Sequence, residues 1–185
     1  MRFSLVALLL ALALCAVRPA WASLPFYNPD LGYTIWLSTD WTETPPALLS
    51  RFDTLRDGVP AQDGGWTAGY AMGDAGRTCL LVSTILGRVV SRADMANFNQ
   101  FVIRGLQRGG RSCPARLRSA NFLSATPMLR LELDLGQDLV SVVHIVYTRT
   151  GMLKFTGIAP RGDRQGVRAI DAAVATLHLD HGLAR

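Results

Sequence analysis

Residues 128–159 constrain the fold more than any other stretch of the chain. Leu129, Leu131, Leu133 and Leu135 alternate with Arg130, Glu132 and Asp134. A period of two puts the leucines on one side of an extended strand and the charges on the other. Gly136-Gln137-Asp138 then turns the chain. Leu139 to Thr148 is almost continuously apolar, the pattern of a strand covered on both faces. Thr150-Gly151 turns it again into Met152 to Ala159. Three successive strands joined by short turns make an antiparallel meander.

The flanking segments supply the rest of a mixed fold. Residues 23–31, broken by Pro25 and Pro29, read as an irregular lead-in. Tyr33 to Leu37 is aromatic and β-branched and predicts a first strand. Pro45 and Pro46 open a short helix over Ala47 to Arg56. Trp66 to Met72 alternates, Asp74-Ala75-Gly76 turns, and Thr78 to Leu86 is apolar, so 66–86 predicts a hairpin. Ser91, with Asp94 three residues on, caps a helix whose buried stripe is Met95, Phe98, Phe101, Val102 and Leu106. Gly109-Gly110 stops it. Arg118 to Ala125 predicts a further strand. Asp163 caps a last helix with Val167, Ile170, Val174 and Leu177 on one face, and residues 178–185 form a tail. The expectation is an α+β domain over 23–185, an antiparallel sheet of about six to seven strands with two or three helices packed against it.

Residues 1–22 are read as a secretory signal peptide rather than as part of that domain. Arg2 precedes an apolar run from Leu5 to Val17, and Ala20 and Ala22 are small where a signal peptidase reads, leaving Ser23 as the new N-terminus. The run is too short to span a bilayer, which takes ~20 residues. No permanent membrane span is therefore expected after cleavage, and the mature chain is placed in the periplasm or secreted. Lipidation at Cys15 is the alternative, although Leu14 is bulky where such sites carry a small residue. Export to an oxidising compartment makes Cys79 and Cys113 an expected disulfide, since they lie far apart for a redox pair and have no His/Cys cluster nearby.

Charge gives the leading candidate site. Arg104, Arg108, Arg111, Arg116, Arg118 and Arg130 fall close together, and no acid lies between Asp94 and Glu132. Guanidinium groups bind carboxylate and phosphate through paired donors. The plain alternative is a solvated helix face. The formal net charge of +5 is too small to argue for nucleic acid, and Arg2 and Arg18 leave with the leader. Catalysis has less support. No Gly-x-Ser-x-Gly elbow exists, and Gly64-Gly65 and Gly109-Gly110 lack phosphate-loop spacing. His144, mid-strand, is either a core histidine bonded to a neighbour or the base of a small secreted hydrolase. His178 and His181 want a third metal ligand, so no metal and no cofactor are expected. Aromatic residues crowd 26–41, and any of Phe26, Tyr27 or Trp41 left exposed would make a binding surface.

Asn28-Pro29-Asp30-Leu31-Gly32-Tyr33-Thr34-Ile35 followed by Asp40-Trp41 resembles the opening of PsbP-like and DcrB-like exported proteins. Phe155-Thr156-Gly157, then Ala169 to Leu177, is similar to their closing strand and helix. The resemblance spans most of 26–179. It implies an antiparallel sheet with helices against it, and a mostly non-catalytic accessory or binding module on a larger assembly. Taken with export and the arginine cluster, the expected partner is an envelope protein or an acidic ligand. It brings no catalytic residues, and the Cys79/Cys113 pair is not part of it.

Overall fold

The computed structural model describes residues 23–53, 57, 59, 65–73, 76–86, 89–108, 115–124 and 126–184. The leader with Cys15, and the positions of Arg111 and Cys113, lie outside the described residues. Among the described residues no helix is long and apolar enough to cross a membrane.

Two sheets share the core. Strands β1 (Ser23–Asn28) and β2 (Tyr33–Ser38) pair antiparallel, and β10 (His178–Leu179) adds to the other side of β2. The lead-in and the tail are thus both strands in part. Pro25 is tolerated because β1 is an edge strand, where a missing N–H leaves no ladder bond unmade. The larger sheet is antiparallel and ordered β3-β4-β5-β9-β8-β7-β6, with β3 Trp41–Glu43, β4 Ala68–Met72, β5 Thr78–Leu86, β6 Arg116–Leu123, β7 Met128–Gly136, β8 Leu139–Tyr147 and β9 Gly151–Pro160. The meander is its centre, and β8 and β9 are buried along nearly their whole length.

Helices cover both faces of this sheet. Helix α1 (Pro46–Leu49) is shorter than expected, passing into a 3-10 turn at Ser50–Phe52. Helix α2 (Met95–Arg108) lies over Leu129, Leu131, Leu133, Val143 and Ile145. Just before its start the Asp94 N–H donates to Ser91 Oγ at 3.1 Å, the N-cap half of a capping box, and the Ser91 hydroxyl donates to the Asp94 carboxylate. Its buried stripe is Met95, Asn99, Val102 and Leu106. Phe101 is not in it. It lies a quarter turn off Val102 and is 65% exposed. Asn99 takes an inner position because its Oδ1 accepts from the Tyr147 hydroxyl.

Helix α3 (Arg164–Ala175) covers the opposite face with Ile170, Ala173 and Val174. Asp163 caps it, accepting from the Gly166 N–H at 2.9 Å. Gly157 permits the close approach, since a Cβ there would overlap the Ile170 side chain. At its end the Thr176 hydroxyl accepts from the Trp36 N–H at 2.9 Å and donates to the Trp36 carbonyl at 3.1 Å, which binds the helix to the edge of β2.

Candidate functional site

The arginine cluster divides between two faces of the sheet. Arg104 and Arg108 stand exposed on the outer side of α2, with Arg104 Nη2 donating to Gln100 Oε1 at 3.3 Å. Neither makes an ion pair among the described residues. The spacing 101, 104, 108 puts Phe101 on the same side of the helix. Arg116 lies in register with Asp134, and Arg118 lies in the β-bulge between Leu117 and Ser119, 3.4 Å from Glu132. Arg130 alternates with Leu129 and Leu131, so it projects through to the α3 side.

That alternation builds a polar network which the sequence reading missed. Arg130 and His144 are cross-strand neighbours, and Asp171 of α3 lies above both. Arg130 donates from Nε to Asp171 Oδ1 and from Nη2 to Oδ2, each at 2.8 Å. His144 Nε2 is 3.1 Å from Oδ1. Glu132 lies 3.6 Å from Arg130 and links it to Arg118. Burial alone would raise the Asp171 pKa. The hydrogen bonds from His144 and Arg130 outweigh it and hold the carboxyl at about 2. His144 itself is 2% exposed, and its Nδ1 has no partner among the described residues. A general base must reach substrate, so this packing removes His144 from the hydrolase alternative. It is the bonded core histidine.

A second buried pair lies on the α2 side of the sheet. Lys154 Nζ sits 2.9 Å from Asp57 Oδ2, and Thr156 Oγ1 donates to the same oxygen at 3.4 Å. Nothing in the local pattern around Lys154 marks it, because its partner is 97 residues away.

Cys79 is buried beside Leu49, Leu81 and Ile158 and carries a free thiol among the described residues; its expected partner Cys113 lies outside them. Burial pushes the Cys79 pKa up to about 12.

The aromatic residues near the start separate as well. Trp41 is buried and Phe26 packs edge-on to Tyr70. Tyr27 is 58% exposed, its hydroxyl donating to Asp180 Oδ2 at 3.2 Å, and Trp36 is partly exposed on the same outer face.

No family model and no curated protein matches this chain. Solved structures do. The solution structure of cyanobacterial PsbP (CyanoP) from Synechocystis sp. PCC 6803 aligns at TM-score 0.51 and 10% identity, over 89% of this chain and 96% of that one. A crystal structure from Bacteroides thetaiotaomicron VPI-5482 aligns at TM-score 0.52 and 14% identity, over 84% of this chain but 47% of the other. LpqN, involved in cell envelope biogenesis of Mycobacterium tuberculosis, aligns at TM-score 0.45 and 14% identity, over 86% and 91%. The fold is therefore that of a PsbP-like α+β domain, as the opening and closing motifs imply. At these identities the likeness is one of fold alone.

Proposed function

We propose that the chain is an exported accessory domain that docks an acidic partner protein on the outer side of α2 and performs no catalysis itself. Cleavage after Ala22 would place it in the periplasm or outside the cell. One observation carries the reading: Phe101 stands exposed beside Arg104 and Arg108, which have no acidic partner among the described residues. Arg118, Arg130 and Arg161, by contrast, each face a carboxylate of the chain. Aromatic and arginine side chains are the residue types that anchor protein interfaces. Paired guanidinium groups select acidic surfaces and draw them in at low salt.

The test compares the mature wild type with Arg104→Ala/Arg108→Ala and Phe101→Ala as immobilised baits for native envelope extract. Acidic proteins retained by wild type at ~0.05 M salt should be released near ~0.5 M, where screening is within a few ångströms. Both variants should lose them at least tenfold. Retention of the same proteins at the same salt by the arginine variant overturns the reading. Mass spectrometry of protein from native cells should give Ser23 as first residue; a chain starting at Met1 inside the cytoplasm overturns export.

A further inference from the structure

Lys154 is the chain's one lysine, and it is 2% exposed at the centre of the large sheet. On this face its cross-strand neighbour on β8 is Ile145, and the row beside it holds Leu81 and Val143. Against that apolar ground Ser83, Lys154 and Thr156 form a polar island. Ser83 is directly opposite Lys154 in register, and Thr156 follows two residues along β9. The Ser83 hydroxyl is as deeply buried as Lys154 and has no hydrogen-bond partner among the described residues. Polar side chains this deep are ordinarily bonded, so an acceptor is missing from the island.

Two acceptors meet Lys154 Nζ, the Val59 carbonyl at 3.3 Å and a carboxylate. Asp57 lies with Oδ1 3.1 Å and Oδ2 2.9 Å from Lys154 Nζ, and Oδ2 accepts from Thr156 Oγ1. The Trp66 ring stands 5.7 Å from Nζ and forms a wall. A buried ion pair gives little net stability over apolar residues of the same size, so stability alone does not account for the arrangement.

We propose that Lys154, Thr156 and Ser83 form a binding site for a small carboxylic acid, which Asp57 occupies in the unliganded protein. An external carboxylate that takes its place gains the Ser83 donor that Asp57 leaves unused. Asp57 is tethered and competes at an effective concentration in the millimolar range or above. Wild-type affinity is therefore weak, and removal of Asp57 strengthens it.

A single lysine makes the test direct, because selective labelling of the lysine Nζ gives one side-chain resonance. Sodium acetate is titrated against sodium chloride of equal ionic strength into wild type, Asp57→Gly and Asp57→Gly/Ser83→Ala. The expected result is a saturable, acetate-specific shift whose midpoint falls at least tenfold from wild type to Asp57→Gly and rises several-fold when Ser83 is lost. A shift identical in acetate and chloride, or one indifferent to Ser83→Ala, overturns the proposal. Should Asp57→Gly fail to fold, acetate but not chloride must restore its folded signal; failure to do so overturns it equally. Arg104→Ala/Arg108→Ala leaves the acetate titration unchanged, so this site and the α2 surface stand or fall separately.

Discussion

Arg130 and Asp171 join the central sheet to α3 through two parallel hydrogen bonds of 2.8 Å. The guanidinium is mostly buried and the carboxylate is 35% exposed, so the pair lies at the rim of the helix–sheet interface rather than in its interior. The bidentate geometry fixes the rotation of α3 against β7. Ile170, next to Asp171, is thereby seated over Gly157.

Asp171→Asn should destabilise the fold by about 2 kcal/mol, because Arg130 and His144 both lose a charged acceptor while remaining largely desolvated. Denaturant unfolding measures it. The midpoint should fall with the slope unchanged. A loss below ~0.5 kcal/mol would show that solvent already satisfies Arg130.

The same carboxylate gives an acid-limb prediction. Its folded pKa of about 2 lies below the ordinary 3.8. The unfolded state therefore binds the proton more readily, and the stabilisation is complete above pH ~4 and lost as pH falls through ~2. Partial exposure screens the interaction, so its contribution is about 1 kcal/mol. Urea titrations at pH 2–5 should show wild type losing this increment and Asp171→Asn lacking it.

Gly157→Ala should cost about 2 kcal/mol, since the added methyl overlaps Ile170 and α3 must lift from β9. Thermal unfolding reads the loss. In Gly157→Ala/Ile170→Ala the penalty should be less than the sum of the single changes, as contacting residues couple. Strict additivity would place the strain elsewhere.

Cys79 should resist alkylation in the native protein and react once the chain is unfolded without reductant. Burial and a thiol pKa of about 12 both suppress the reactive thiolate. Mass spectrometry after alkylation in ~6 M guanidinium, with no reducing agent, should find the label on Cys79. Its absence, with a mass two hydrogens lighter, would show the Cys79–Cys113 disulfide.

The meander is legible in the sequence because its signal is local. Leu129 to Leu135 alternate within one strand, and the turns at 136–138 and 150–151 carry their own residues. The caps at Ser91 and Asp163 were legible for the same reason. Phe101 was misassigned because a helical stripe read from sequence is wider than the face that packing covers. The division of the basic cluster between two faces is not legible, because nearness along the chain says nothing of which side of a sheet a residue takes. Parity on β7 and the bulge at Arg118 decided that.

What the sequence determined by itself was the class of fold and the order of its elements. Periodicity, turn chemistry and capping each act within about ten residues, and all agree. What only the tertiary structure decided was which charges meet. Asp171 reaches Arg130 across 41 residues, and Asp57 reaches Lys154 across 97. Partners so far apart leave no mark in a local pattern. They are chosen where low dielectric and missing water force each buried ion to find its complement in the packed chain.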